Sequence, residues 1–468
     1  MLKGMYFLNN RYEERLGTDR MLPLIFRMAL PAVAAQLVNL LYNVVDRIYI
    51  GHIPLVGTDA LAGVGVTNSI IILISAFSQI VSGGGAPLAS IALGKGDRKR
   101  AEKILGNGFV MLFVFTAVTT LFAYLFMEPI LRLTGASDHT IGYATDYLSI
   151  YLAGTLFVQI ATGLNNFISC QGRPGIAMWS VLIGAILNIV LDPVFIFVLK
   201  MGVAGAAVAT VISQFFSAAW VLAFLLSKRA SLRILPEFMK PDKDVIWSVV
   251  SLGISPFIMA STESLIGFVL NGSLVRFGDI YVSALTVMQS AMQIVSVPLG
   301  GFAQGVVPVI SYNYGHRNPN RVKEGSKVVM VTMFSCNFAL ILLMILFPAS
   351  VAGLFTDDAS LIRVVAAVMP VFLAGMSIFG LQRACQNMFV ALGQAKVSLF
   401  IALLRKVILL IPLALILPHF MGVMGVYSAE AIADATAAIL CTLIFSVKFP
   451  RILASMGQAP GERPKKQR

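Results

Sequence analysis

Charge is what this sequence has least of. Of its 468 residues, only 12% are Asp, Glu, Lys or Arg, while 58% are hydrophobic. A soluble domain carries about a quarter charged residues, so this composition cannot cover a water-exposed surface of that size. Cysteine is scarce too. Cys170, Cys336, Cys385 and Cys441 stand singly in apolar stretches and no CxxC occurs, so neither a zinc site nor a disulfide frame is signalled. The four histidines, His52, His139, His316 and His419, fall in loops or at the ends of apolar runs. HExxH and GxSxG are missing, and Gly94-Lys95 is followed by Gly96 rather than Ser or Thr. Neither hydrolase chemistry nor an ATP-driven pump is therefore signalled, and no enzyme activity or cofactor is expected. The first twenty residues lack the apolar core of a secretory leader and read as a short cytoplasmic tail.

Long apolar runs are what the chain does have, such as Gly106–Met127 (GNGFVMLFVFTAVTTLFAYLFM). In lipid every backbone polar group must be satisfied within the protein, which leaves helices or a closed barrel. Barrel strands would be about 9–11 residues of strict alternation, and these runs are twice that length without alternation. The expected fold is all-α, with twelve transmembrane helices. Lys and Arg placement supports the number: 27 fall on one side of a twelve-span layout, five on the other, and Arg383, Arg405 and Lys406 lie inside spans. The positive-inside rule then puts both termini in the cytoplasm of a multi-pass cell-membrane protein. The formal net charge of +13 fits anionic lipid at the inner leaflet and calls for no nucleic-acid partner. A monomer is expected.

The second half repeats the first. Gly84, Pro87, Leu133, the Leu152-Ala153-Gly154 triplet, Asn166 and Gly172 recur 221 residues later as Gly305, Pro308, Leu354, Leu373-Ala374-Gly375, Asn387 and Gly393. Six spans per half preserve orientation, so the repeat is parallel, with a pseudo-two-fold along the membrane normal and a cavity expected between two six-helix bundles. The expected division is a cytoplasmic tail (1–27), an N-terminal bundle (28–226), a cytoplasmic linker (227–244), a C-terminal bundle (245–447) and a basic cytoplasmic tail (448–468).

Ionisable residues at membrane depth are costly and mark functional sites by default. Asp192 lies in LNIVLDP, one helical turn after Asn188 and before Pro193, which frees a backbone carbonyl. Thr210 follows in the next span. Asp46 ends a polar stripe of Gln36, Asn39, Asn43 and Asp46 at helical spacing, so the stripe faces a cavity or a partner helix. Asp46 and Asp192 are expected to share one ion-coupling site between spans 1 and 5, because two carboxylates in a dry cavity cannot both ionise cheaply. Glu263 near mid-membrane is read either as a cavity residue or as the partner of a buried base such as Arg383. Arg405 is expected to pair with Glu430 or Asp434 as a structural cluster. Gln289, Gln293 and Arg383 complete the expected substrate cavity. The repeat maps Asp46 to Asn271 and Asn188 to Leu409, so coupling is placed in the first half.

VVDRIYIGH, LNNFISCQGRPGIAM, LNIVLDPVFIF, GVAGAAVATVISQ and GLQRACQNMFVALGQAKVS occur in this order. Together they resemble the multidrug and toxic compound extrusion (MATE) family, over nearly the whole chain. The resemblance implies a V-shaped pair of bundles exporting lipophilic, cationic, amphipathic compounds by alternating access, coupled to a proton or sodium antiport. It assigns the ion site to Asp46, Asn188, Asp192 and Thr210. A span 4 tyrosine and asparagine map to Tyr147 and to Asn165 or Asn166; Asn166 is assigned to the ion site and Asn165 to the cavity. The pattern departs from another branch of the family, whose span 7 Glu lies eight residues after the Pro; Glu263 lies seven after Pro256. A lipid-linked oligosaccharide flippase of the same superfamily is the rival reading and would need a strongly basic cavity. A non-transporting receptor is the second rival and has no use for paired carboxylates.

Overall fold

A computed structural model describes residues 12–456; the ends of both expected tails lie outside the described residues. Among the described residues eleven helices are each long and apolar enough to cross a bilayer, and a twelfth span consists of two shorter helices in series. In order they are α1 (Met21–Gly51), α2 (Gly57–Gly94), α3 (Arg98–Leu125), α4 (Ile141–Ala153 with Thr155–Ser169), α5 (Pro174–Val198), α6 (Gly202–Leu226), α7 (Lys243–Val275), α8 (Asp279–Gly315), α9 (Pro319–Leu346), α10 (Ala359–Ala391), α11 (Ala395–Met421) and α12 (Val423–Met456). No strand occurs among the described residues. α1 starts two turns inside the expected tail, and α12 runs on past residue 447. Hydropathy marks only the part of a helix that meets lipid, and polar turns continue the helix beyond it.

The repeat is written into the packing. The duplicated Leu-Ala-Gly triplet breaks a helix in each half: α4 bends by 58° at Gly154, and α10 tightens to a 3-10 turn over Gly375–Ile378. Each glycine is pressed against the last helix of its own half. A Cβ on Gly154 would collide with Val211 of α6, and one on Gly375 with the Ala431 carbonyl of α12. Val211 and Ala431 are themselves 220 residues apart. Only glycine permits so close an approach.

The bundles exchange the ends of their first helices. Leu24, Ile25 and Met28 of α1 are buried in the core made by α7–α12, while Val245 and Val249 of α7 are buried in the core of the first half. The bundles therefore meet on the side where α1 and α7 begin, the terminal side. There Gly84 of α2 lies against the backbone of α7 at Val249 and Gly253, and its counterpart Gly305 of α8 lies against Ala29 of α1. Residues 227–242 cover the end of α3: Asn107 donates to the carbonyls of Phe238 and Lys240 at 3.1 and 3.3 Å and accepts from the Asp242 N–H.

Candidate ion and substrate sites

The first site lies inside the N-terminal bundle, where α1 packs along α5. Asp46 is in the last two turns of α1. Asp192 is fully buried at the point where Pro193 ends regular helix and a π segment, Val194–Val198, begins. Pro193 has no N–H to give, and the wider turn absorbs the lost bond. The carboxyls of Asp46 and Asp192 lie within hydrogen-bonding reach of each other. Asn188 Nδ2 donates to Asp192 Oδ1 at 3.1 Å and to Thr210 Oγ1 at 3.4 Å. The Tyr147 hydroxyl lies close to that of Thr210, and Tyr147 stacks on Tyr151 with ring centroids 6.3 Å apart.

Neither carboxylate has a basic partner within ion-pair range among the described residues. Asp46 Oδ1, Asp192 Oδ2 and Asn188 Oδ1 are buried without a hydrogen-bond partner. A buried acceptor left unmade is costly, so three such oxygens in one place mark a space for a positive charge. The donors are all oxygen, which suits a hard cation or a shared proton.

The C-terminal bundle answers its acids with its own bases. Arg405 donates from Nη2 to Glu430 at 3.1 Å and from Nε to Asp434 at 2.5 Å, and its guanidinium lies 4.2 Å over the Phe379 ring. Lys406 Nζ is 2.6 Å from Glu263 Oε1 and donates to the Met259 carbonyl at 2.9 Å. Adjacent helical residues point in different directions, so Arg405 reaches α12 while Lys406 reaches α7. Arg383 is not the partner of Glu263; Lys406 occupies that place.

Two cavities lie between the bundles. One, of about 690 Å³, is walled by Glu263, Asn271, Gln289, Gln293, Phe372 and Phe379 together with Asn68 and Ser69 of α2. The other, of about 410 Å³, sits nearer the terminal side and is lined by Gln36, Gln79, Asn166, Gln304 and Asn387. Arg383 borders both. A chain of amides crosses the smaller cavity: Gln36 Nε2 donates to Gln304 Oε1 at 3.1 Å, and Gln304 Nε2 donates to Asn166 Oδ1 at 2.5 Å.

Of the residues assigned to ion coupling, the structure gathers Asp46, Asn188, Asp192, Thr210 and Tyr147. Asn166 is elsewhere, on the cross-bundle amide chain. Of the expected cavity residues, Gln36, Glu263, Gln289, Gln293 and Arg383 line the two cavities, while Asn39, Asn43 and Asn165 line neither. Asn43 Nδ2 turns back to the Asn39 carbonyl at 2.7 Å, and Asn165 accepts from Ser180 of α5.

The MatE family model matches residues 31–194 and 256–416. The chain belongs to the MatE family. Among curated relatives it is similar to the multidrug export protein MepA of Staphylococcus haemolyticus (strain JCSC1435), with 25% identity over 421 residues, 90% of this chain and 92% of that protein. Among solved structures it is similar to a MATE protein in the bent conformation, with a TM-score of 0.88, 22% identity and coverage of 96% and 99% of the two chains. An outward-facing multidrug resistance MATE family transporter of the MOP superfamily gives 0.84, 23%, 92% and 96%. The structural likeness establishes the twelve-helix fold; membership of this transporter family sets the chain apart from enzymes.

Three residues of this MatE chain escaped sequence reasoning. Tyr42 lies beside Asp46 and Asp192, and the signal for it was present, since it is one helical turn before Asp46. Gln304 had a weaker signal, a lone amide just before the duplicated Gly305 of α8. Lys406 was legible as a buried base, but nothing local pointed to Glu263, 143 residues away.

Proposed function

We propose that this protein is a secondary exporter of amphipathic organic compounds, driven by inward movement of a proton or sodium ion through Asp46 and Asp192. The observation that carries the reading is the pair of mutually facing carboxylates with no base in ion-pair range among the described residues, beside three unpartnered oxygens. The name of the MepA relatives, multidrug export protein, supports organic cargo of more than one kind. The Lys and Arg distribution supports cytoplasmic termini, and in this reading the seam closes the cytoplasmic side.

The geometry of α1 supports alternating access. This helix touches the ion site through Asp46, the cavity through Gln36 and the seam through Ala29. Pro31 interrupts its hydrogen-bond ladder between seam and site. A cation that binds one arrangement of α1 and α5 more tightly than the other shifts the bundles between states, and only that difference in affinity can do so. The flippase reading needs several free bases for a pyrophosphate. Here Arg405 and Lys406 are held by acids, which leaves Arg383.

The test is flux into proteoliposomes under an imposed proton or sodium gradient, with a panel of amphipathic compounds. Accumulation that follows one gradient and collapses with its ionophore is expected. Flux of every compound at the rate of protein-free liposomes under both gradients would remove the proposal.

A further inference from the structure

The family resemblance leads one to expect cationic cargo, yet the smaller cavity offers a cation nothing to pair with. Its wall carries amides, small residues and apolar side chains, and Arg383 is its single charged residue. In the larger cavity Glu263 and Glu430 each have one oxygen paired, with Lys406 and Arg405. Arg383 alone is uncommitted. Its Nη1 donates to the Ser296 carbonyl at 2.7 Å, and no carboxylate lies within ion-pair range of it among the described residues.

A guanidinium has five N–H donors in a planar fork that matches a carboxylate. Holding one at the junction of two cavities with a single backbone acceptor leaves most of that capacity unused. Removing a charge from bulk water is unfavourable unless a partner compensates, so the missing partner belongs to whatever enters. The surroundings fit the rest of such a molecule. Phe372, Met376 and Phe379 present an apolar wall in the larger cavity, and the Arg383 guanidinium lies 5.8 Å from the Phe379 ring centroid. Gln36 and Gln304 each keep a second amide N–H beyond the one used in their chain.

We propose that Arg383 receives the carboxylate of an exported amphiphile, so that this transporter selects organic acids and zwitterions over simple lipophilic cations. The inference rests on the exporter reading and deepens it by naming the chemistry of the cargo.

A matched dye pair tests it: a zwitterionic xanthene with a free carboxylate, and its cationic ethyl ester. Binding is measured by fluorescence anisotropy on the detergent-solubilised full chain without any gradient, then flux of both dyes is measured in proteoliposomes. Wild type is expected to bind the acid more tightly than the ester. Arg383→Gln should weaken the acid about ten- to hundredfold, the range for losing a charge-assisted hydrogen bond, and leave the ester within about threefold of wild type. Arg383→Lys, which keeps the charge and loses the fork, should fall between and guards against misfolding of the glutamine variant. Ester preferred by wild type, binding of neither dye, or equal loss of both dyes in a variant of normal thermal stability would each overturn the assignment. Acid-selective binding without gradient-driven flux would sink the coupled-export reading and leave Arg383 in place.

Discussion

The two bundles share a frame and treat buried acid in opposite ways. In the N-terminal bundle Asp46 and Asp192 face each other with no base in ion-pair range among the described residues. In the C-terminal bundle Glu263, Glu430 and Asp434 are held by Lys406 and Arg405. A lysine ammonium against Glu263 takes the place a mobile cation would need. In the proposed exporter, what decides whether a pair of bundles has one ion site or two is the supply of internal cations, and not the presence of a carboxylate at the right depth.

The sharpest way to break this contrast is to neutralise one acid in each half. Asp46→Asn and Asp192→Asn should each reduce gradient-driven flux to the background of protein-free liposomes while thermal stability is kept. Glu263→Gln should retain at least half of the wild-type rate. A dead Glu263→Gln beside a normal Asp192→Asn would reverse the assignment of the two bundles.

Stability should show the opposite ranking. Arg405→Ala strands two buried carboxylates, and removing one member of a buried ion network costs roughly 3–5 kcal/mol, visible as a lowered unfolding temperature in detergent. Neutralising all three residues together, Arg405→Met with Glu430→Gln and Asp434→Asn, should recover most of that loss. An Arg405→Ala protein of wild-type stability would show that this network is not structural. The smallest effect is expected at Tyr147→Phe, which removes one hydroxyl from Thr210. It should cost about 1 kcal/mol, or about fivefold in activation by the coupling ion; an unchanged ion dependence would reduce Tyr147 to packing on Tyr151.

The fold was legible because a bilayer permits so few solutions. Apolar runs fixed the spans, and a constant offset of glycines and prolines exposed the repeat. The Asp46 and Asp192 pairing was within reach because each acid sits in a local pattern, with Asn188 and Pro193 or with the α1 stripe. Polar spacing misled at Asn39, Asn43 and Asn165. An amide on a helix can bond its own backbone or the next helix, and periodicity does not distinguish those from a cavity. Asn166 shows the same ambiguity in another form, since its side chain joins a bridge whose other members lie on α1 and α8. The pairing of Lys406 with Glu263 was out of reach because it depends on the rotation of α11 about its axis.

At two points the seam on the terminal side brings main chain onto main chain, at Gly84 against α7 and at Gly305 against α1. The proposed cargo contacts Arg383, Gln289 and Phe379 are not among these glycine contacts. In the proposed exporter, substitutions there alter what is carried while the barrier against leakage stays the same. A transporter arranged this way can acquire new cargo by single replacements, and its vulnerability to mutation is concentrated in a few glycines instead of in the chamber that meets the compound.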